Sequence, residues 1–183
     1  QRYFPSRFFN AVGASRVTHT ICSRAGDKAL ELVWGSSLGM LPEEIEKCRL
    51  IVVWGMNPAW SSVHGFELLK RAAKRGTKVY VIDPVRTPTA ELGTHLQVRP
   101  ATDGALAMGI MNHLIENRLC NELFLDQNAT GFDRLKGVTS KYDMTTISRT
   151  TGLTTRQIED LIGDYVSLRP NCIMIGYGMQ RHR

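Results

Sequence analysis

The segment that most constrains the fold is residues 50–86, which have the pattern of a strand, a helix and a second strand. Residues 50–54 (LIVVW) and 78–82 (KVYVI) are short apolar runs without regular polar alternation. Such runs are typical of parallel strands that are covered on both faces. Between them, apolar residues recur at helical spacing from Ser62, a predicted N-cap, to Gly76, a predicted C′ residue. The segment therefore predicts a βαβ unit.

A polar loop follows each of these two strands. Gly55, Asn57 and Pro58 follow the first strand, and Asp83 and Arg86 follow the second. A βαβ crossover places both loops at one edge of the sheet, and open α/β sheets bind ligands outside the carboxyl ends of their strands. Gly55 allows close approach to a phosphate, Asn57 can donate and accept, and a strand-terminal carboxylate suits ribose hydroxyls. These loops predict a nucleotide site.

The same loops lack the common nucleotide motifs. The first loop is not G-x-G-x-x-G, and the sequence contains no Gly-rich phosphate loop ending in Lys-Ser or Lys-Thr. Neither an ordinary NAD site nor a P-loop is indicated.

Two more strands are predicted downstream, at residues 95–99 (HLQVR) and 171–175 (NCIMI), each followed by a loop. Together with the βαβ unit they predict an α/β fold, a mostly parallel sheet flanked by helices in a Rossmann-like lobe. A length of 183 residues fits one such domain or a little more.

Asp103 has two interpretations. It opens a helix whose apolar residues share one face, which favours an N-cap aspartate. It also follows the predicted third strand, where a carboxylate could accept hydrogen bonds from a base edge. Both interpretations remain open from the residues alone.

The other predicted helices are placed by periodicity, caps and breakers. Thr154 and Gln157 form a capping box ahead of an apolar helix face. The remaining predictions are a helix in residues 6–12, a strand in 17–21, an amphipathic helix in 26–34, a short helix opened by Pro42, and short helices in 121–150 broken at Gly131 and Gly137.

The net charge of +6 raises the question of a nucleic-acid partner. Lysines and arginines are scattered, and the one basic cluster, in residues 70–78, lies in the last turns of a predicted helix, where cations suit the helix dipole. No RNP-type aromatic pattern or helix-turn-helix signal is present. The sequence therefore predicts no nucleic-acid binding.

No apolar run approaches the roughly 18 residues that span a membrane, so no membrane contact is predicted for this segment.

The cysteines and histidines do not form a metal-binding pattern. The four cysteines are Cys22, Cys48, Cys120 and Cys172. Their wide spacing without a C-x-x-C pair predicts reduced core thiols, because free cysteine is among the most buried residue types. No two histidines have the i, i+4 spacing of helical metal ligands. No metal ligand is predicted.

The two ends of the sequence predict a piece of a longer protein. The chain does not begin with Met, and it stops in a Gly-rich loop directly after the strand predicted at 171–175. We expect the lobe to occupy residues 1–170, and residues 171–183 to be the first strand and loop of a neighbouring lobe.

The ordered set of loops resembles the molybdopterin oxidoreductases of the dimethyl sulfoxide reductase and formate dehydrogenase type. The similarity covers essentially the whole chain. The motifs on which the similarity rests are IVVWGMNP, KRGTKVYVIDPVRTPTAELG, HLQVRPATDGALAMGIMNHLIENRL, the TGF element at 130–132, TTGLTTRQIEDLI and GYGMQRH. Each motif is weak alone, whereas the ordered set is specific.

The resemblance implies a set of cofactor-binding residues. They are Gly55, Asn57, Pro58, Asp83, Arg86, Thr87, Thr102, Asp103, Gly176, Gly178, Met179 and Gln180. The first loop would lie at the dinucleotide, Asp83 and Arg86 at the guanosine and phosphate portion, and Thr102 and Asp103 at the guanine. Residues 176–180 would lie near the pterins and the metal. The family commonly has Pro-Gly-Thr-Asp at this place, whereas this chain has Ala101 instead of the Gly. A change in the loop conformation would affect the implied role of Thr102 more than that of Asp103.

The resemblance also implies cofactors and partners. The lobe would hold one half of a bis-molybdopterin guanine dinucleotide that ligates Mo or W, with an iron–sulfur cluster elsewhere in the parent protein. Its partners would be the remaining domains of the catalytic subunit and iron–sulfur electron-transfer subunits. The metal ligand in this family precedes the lobe and is not Cys22, so no catalytic residue is assigned and the isolated chain is expected to be inactive.

Two alternatives remain open. One is a nucleotide-binding or regulatory α/β module without redox activity, since a fold does not determine a function. The other is a thiamine-diphosphate enzyme with a similar central domain. If the family resemblance holds instead, the parent enzyme would be similar to a formate dehydrogenase, a thiosulfate or polysulfide reductase, or a nitrate reductase.

Overall fold

The computed structural model describes residues 4–15 and 22–180. Contacts within the chain divide it into two units, residues 1–39 and residues 40–183. Within the described residues, no helix combines the length and the apolar character that crossing a membrane requires.

The first unit contains two helices, α1 (Phe4–Ala11) and α2 (Arg24–Trp34). Helix α2 ends at Gly35, whose left-handed conformation (φ 75°) lets its N–H bond to Glu31 O at 2.9 Å. No residue of α2 is buried within the chain. The helices predicted in 6–12 and 26–34 are confirmed with small shifts of their ends. The strand predicted in 17–21 lies outside the described residues.

The second unit alternates strands and helices. Its strands are β1 (Leu50–Trp54), β2 (Lys78–Ile82), β3 (Thr94–Leu96) and β4 (Asn171–Ile175). Its α-helices are α3 (Pro58–Ser61), α4 (Val63–Lys74), α5 (Asp103–Glu116), α6 (Glu122–Asn128), α7 (Phe132–Thr139), α8 (Met144–Thr151) and α9 (Thr155–Ser167). Three short 3-10 helices cover Pro42–Lys47, Pro88–Leu92 and Tyr177–Gln180.

The four strands form one parallel sheet in the order β3-β2-β1-β4. Leu50 lies opposite Lys78 on one side and Asn171 on the other, so the two neighbours of β1 are in register with its whole length. The predicted α/β class with a parallel sheet flanked by helices is confirmed. Because β4 pairs with β1, this strand belongs to the same sheet, and the predicted lobe boundary at residue 170 stays a prediction.

Both faces of the sheet are covered, as the continuous apolar strands predict. Leu50, Val52 and Trp54 face a core completed by side chains from α5, α8 and α9. Ile51 and Val53 face the opposite core, which is completed by α4 and the 3-10 helix Pro42–Lys47. Successive residues of a strand point to opposite faces, so a strand between two cores must be apolar at every position.

The amino edge of the sheet is held by a polar cluster. Tyr80 donates its hydroxyl hydrogen to Asp164 Oδ2 at 2.5 Å, and Lys78 Nζ lies 2.5 Å from the same oxygen. Burial, together with the Asp164 carboxylate, raises the pKa of Tyr80 well above its ordinary value. The cluster ties β2 to α9, because Asp164 lies on that helix.

The predicted third strand is shorter and begins one residue earlier than 95–99. It ends at Leu96, because the Val98 N–H bonds to Leu96 O at 3.1 Å and the Arg99 N–H bonds to Thr151 O at 2.8 Å. These bonds turn the chain away from β2 after three paired residues. Val98 stays in the core although it is outside the strand.

Several local predictions are confirmed, and those for Gly137 and Cys22 are wrong. The capping box of Thr154 is present, and Gly76 takes the left-handed conformation (φ 93°) after α4. Gly137 does not break a helix but lies within α7, where an isolated glycine costs only about 1 kcal/mol. Cys22 is exposed instead of buried, because it precedes α2, a helix without buried residues.

The remaining cysteines follow the prediction more closely. Cys48 and Cys172 are buried free thiols in one core, and Cys120 is half-buried. Burial, with the Cys48 thiol beside it, raises the pKa of Cys172 to about 12. The loop after β1, predicted to be irregular up to Ser62, contains the one-turn helix α3, which begins at Pro58.

Candidate functional site

The strand order places a topological switch point beside β1. The chain runs from β1 to β2 and then to β3 on one side, and it returns to place β4 on the other side of β1. The loops after β1 and β4 therefore follow neighbouring strand ends. In open α/β sheets this is where ligands bind. Since all four strands are parallel, the loops that follow β1, β2 and β4 lie at one edge, as predicted.

Three glycines bring the loops after β1 and β4 into backbone contact. The Gly178 N–H donates to Gly55 O at 3.1 Å, and the Gly176 N–H donates to Trp54 O at 2.9 Å. A Cβ at Gly176 would lie 2.2 Å from Gly55 O, and one at Gly178 would lie 2.8 Å from the same oxygen. Gly55 itself has φ 59°. We call Gly55, Gly176 and Gly178 the glycine contact, which any side chain would force apart.

Met179 and Gln180 continue from the glycine contact. Both are half-buried in the 3-10 helix Tyr177–Gln180, and Met179 packs against the core that includes α5 and α9. A Cβ at Gly55 would lie 3.0 Å from the Met179 nitrogen. The predicted residues of the last loop are thus joined to the predicted residues of the first.

The Asn57 side chain is held by a buried hydroxyl. Asn57 Oδ1 accepts a hydrogen bond from Thr89 Oγ1 at 2.6 Å, and Thr89 is fully buried. The other end of the amide, Nδ2, is buried and has no hydrogen-bond partner among the described residues. Pro58, the next residue, is buried as the first residue of α3. Because an unsatisfied buried donor costs about 1–3 kcal/mol, Asn57 Nδ2 indicates a position where an acceptor belongs.

Two hydrogen bonds that involve Asp83 hold the loop after β2. Asp83 Oδ1 accepts from the Val85 N–H at 2.8 Å, and His95 Nε2 donates to Asp83 O at 2.8 Å. Arg86 is exposed at the same loop. Thr87 is buried, and its Oγ1 has no hydrogen-bond partner among the described residues. This loop therefore presents a carboxylate, a guanidinium and an unsatisfied hydroxyl.

The loop before α5 takes the conformation that glycine would favour. Ala101 has φ 66°, a left-handed conformation that costs a residue with a side chain roughly 1–2 kcal/mol. Thr102 Oγ1 donates to Arg99 O at 2.6 Å, which fixes the turn. Ala101 therefore holds the loop in a glycine-type conformation, and the Thr102 hydroxyl is used within the loop.

Asp103 is the first residue of α5 and not its N-cap, which is Thr102. Its carboxylate accepts a hydrogen bond from Trp54 Nε1 at 2.7 Å, and both residues are buried. The prediction of an N-cap aspartate is therefore wrong by one residue, because Thr102 has left the helical conformation (φ −108°, ψ 5°). The indole ties the start of α5 to the carboxyl end of β1.

Two residues of this edge were missed by sequence reasoning, Trp54 and Thr89. Trp54 carried a signal, because a tryptophan at the end of an aliphatic strand has an N–H that needs a partner when buried. Thr89 carried none, since its partner Asn57 is 32 residues away and only the fold brings them together. Among residues 4–15 and 22–180, no group of three His, Cys, Asp or Glu side chains could hold a metal ion.

Known proteins are similar to this chain in sequence and in fold. The family model described as molybdopterin oxidoreductase matches residues 6–183. The probable oxidoreductases YoaE and YyaE of Bacillus subtilis (strain 168) are 36% and 32% identical, over 96% and 97% of this chain. The solved structure of acetylene hydratase from Pelobacter acetylenicus matches with a TM-score of 0.66 and 25% identity, over 75% of this chain and 20% of that chain.

The chain spans about a quarter of the length of these relatives, 26% of YoaE and 27% of YyaE. The family match covers almost all of the 183 residues, including every loop of the carboxyl edge. It also contradicts the thiamine-diphosphate alternative. The chain belongs to the molybdopterin oxidoreductase family.

Proposed function

We propose that the chain is a segment of the catalytic subunit of a molybdenum or tungsten oxidoreductase, in which it holds the guanine dinucleotide part of a bis-molybdopterin guanine dinucleotide. Membership in the family implies a molybdopterin cofactor with molybdenum. The observation that carries the finer proposal is the glycine contact at the switch point, together with Asn57 Nδ2 and Thr87 Oγ1, which are buried and have no hydrogen-bond partner among the described residues. The bound cofactor would supply two-electron transfer at its metal.

The residues of the carboxyl edge fit a dinucleotide chemically. Backbone at the glycine contact can approach phosphate oxygens closely. Asn57 Nδ2 and Thr87 Oγ1 offer hydrogen bonds that have no partner among the described residues. Asp83 suits ribose hydroxyls, and the exposed guanidinium of Arg86 suits a phosphate.

Asp103 is proposed to bind the guanine. A carboxylate has two oxygens and about four acceptor positions, so the Asp103 side chain can accept several hydrogen bonds, one of which is the bond from Trp54 to Oδ1. Guanine presents two adjacent donors on its Watson–Crick edge, which match a carboxylate. The indole bond would hold the carboxylate in one rotamer, so that binding does not have to order it.

The same proposal extends to the rest of the protein. Residues 171–183 would lead into the neighbouring lobe, and Gly176, Gly178, Met179 and Gln180 would lie near the pterins. The partners would be the other domains of the catalytic subunit and iron–sulfur electron-transfer subunits. The names of YoaE and YyaE support an oxidoreductase, and the substrate type would be that of a formate dehydrogenase or of a thiosulfate, polysulfide or nitrate reductase.

The experiment is cofactor analysis of the full-length protein that contains this chain. Acid release of nucleotides, quantified by mass spectrometry, should give two GMP per Mo or W atom measured by elemental analysis. Asp103→Asn should keep the hydrogen bond to Trp54, because an Asn oxygen also accepts, and should replace one acceptor facing guanine by a donor. We expect a loss of binding of about 1–3 kcal/mol, seen as reduced GMP content at an unchanged thermal midpoint.

The control is Asp126→Asn, which changes an exposed aspartate of α6 and should leave the GMP content unchanged. Equal GMP content in Asp103→Asn and the wild type would remove Asp103 from the guanine site. Guanine nucleotide without a pterin would favour the nucleotide-binding module, and a pterin without guanine would contradict the dinucleotide proposal. Viologen-linked assays with formate, nitrate, thiosulfate and polysulfide would then identify the substrate type.

A further inference from the structure

Thr89 links the loops that follow β1 and β2. It is fully buried in the 3-10 helix Pro88–Leu92. Its hydroxyl oxygen lies 3.2 Å from the backbone nitrogen of Ala59 and 2.6 Å from Asn57 Oδ1. A backbone amide can only donate, so Thr89 accepts from Ala59. The single hydroxyl hydrogen of Thr89 is then donated to Asn57.

This arrangement selects one orientation of the Asn57 amide. With Oδ1 facing the hydroxyl, the Thr89 hydroxyl both accepts from Ala59 and donates to Asn57. With the amide rotated by 180°, Nδ2 would donate to Thr89, and the hydroxyl hydrogen would lose its acceptor inside a buried site. Leaving a buried donor unsatisfied is costly, so Thr89 keeps Nδ2 on the opposite side of the amide.

The orientation has a consequence for binding. Nδ2 carries two hydrogens, is buried, and has no partner among the described residues. It lies in the loop that begins with Gly55, whose backbone contacts Gly178 across the switch point. An acceptor oxygen that binds at this loop could therefore accept a hydrogen bond from Nδ2 without any rotation of the amide.

We propose that Thr89 is a positioning residue, which fixes the Asn57 amide so that Nδ2 donates to a phosphate oxygen of the bound dinucleotide. The inference rests on the proposed function, since it needs a dinucleotide at this edge. It adds a residue that does not touch the ligand, and it assigns a pre-organised donor to a ligand of phosphate chemistry.

The test is a calorimetric titration of the full-length protein, isolated without cofactor, with GDP as the probe. Thr89→Val keeps the shape and removes the hydroxyl, and it should weaken GDP binding about fivefold, since a hydrogen bond to a charged group is lost in part. Thr89→Ser restores the hydroxyl and should bind within about twofold of the wild type. If Val lowers the thermal midpoint, Thr89→Ala provides a second variant without the hydroxyl.

The matched control is Thr139→Val. Thr139 is also fully buried, but its hydroxyl donates to Leu135 O within α7, remote in sequence from both loops. GDP affinity should therefore stay at the wild-type value in this variant. A weakening equal to that of Thr89→Val would mean that loss of any buried hydroxyl weakens binding, and it would overturn the inference.

A double-mutant cycle separates positioning from a merely structural role. Asn57→Ala should weaken GDP binding about tenfold, and adding Thr89→Val should weaken it no further, because Thr89 acts through Asn57. Additive effects, or wild-type affinity in Thr89→Val, would overturn the inference while leaving the dinucleotide site intact. Absence of GDP binding to the wild type would instead refute the proposed function, and the inference with it.

Discussion

Substitution of Gly176 by alanine tests whether the glycine contact is as close as the geometry indicates. A Cβ at this position would lie 2.2 Å from Gly55 O and 2.6 Å from Met56 Cβ. Ordinary contacts of a Cβ begin near 3.4 Å, so the two loops would have to separate by about 1 Å. One of the atoms is a backbone oxygen, which cannot move away by a change of rotamer.

The expected cost follows from the contacts that would be lost. Insertion of an extra methyl into a packed site typically costs about 1–3 kcal/mol. Separation of the loops would also weaken the hydrogen bond from Gly178 N to Gly55 O, which is worth about 1 kcal/mol. We therefore expect Gly176→Ala to lower the free energy of unfolding by about 3 kcal/mol. Gly178→Ala, with its closest contact at 2.8 Å, should cost less.

The assay is urea unfolding of the chain with a common m-value for all variants. The matched control is Gly163→Ala in α9, where an added Cβ meets nothing within 4 Å. Alanine has the higher helix propensity, so this variant should be more stable by about 0.5–1 kcal/mol. Equal stabilities of the Gly176 and Gly163 variants, or a larger loss for Gly178→Ala than for Gly176→Ala, would refute the reasoning.

Three further predictions concern other parts of the chain. A thiol reagent at pH 8 should modify the exposed Cys22 and leave Cys172 protected until unfolding, because burial keeps the latter protonated; mass mapping of the labelled peptides checks this. Tyr80 has a raised pKa in the folded state, so the stability it contributes is present below about pH 10 and is lost as the pH rises further. Tyr80→Phe has no hydroxyl to ionise and also loses the bond to Asp164. Between about pH 9 and pH 11, the range around the ordinary tyrosine pKa, this variant should lose less stability than the wild type. Thr154→Ala removes the cap of α9 and should lower the unfolding free energy by about 1 kcal/mol, measured by urea unfolding beside Thr155→Ala.

Local patterns were sufficient for the sheet and its loops. The runs at 50–54 and 78–82 predicted two strands with correct ends, and 171–175 predicted a third. Each run is apolar at nearly every position because two cores cover the sheet, and this requirement acts on each strand separately. The order of the polar loops along the chain could likewise be predicted from the sequence, whereas most of the candidate residues in them were implied by the family resemblance.

Strand ends and helix starts were less predictable, because neighbouring elements decide them. The third strand stops at Leu96 since Arg99 bonds to Thr151, which no pattern near residue 96 contains. Asp103 follows an N-cap one residue earlier because the turn at Ala101 and Thr102 is fixed by a bond to Arg99. Gly137 was mispredicted for a different reason: an exposed glycine is tolerated where the flanking residues of α7 are helical.

The sequence by itself determined the fold class, the parallel strands and the positions of the polar loops that follow them. Only the tertiary structure decided that Trp54 bonds to Asp103 across 49 residues, that Thr89 donates to Asn57, and that Gly176 meets Gly55. The physical reason is that strand formation depends on burial and spacing within a few residues. Hydrogen-bond partners and backbone contacts at the carboxyl edge depend instead on which strands become neighbours, and that order is set by the packing of the whole sheet.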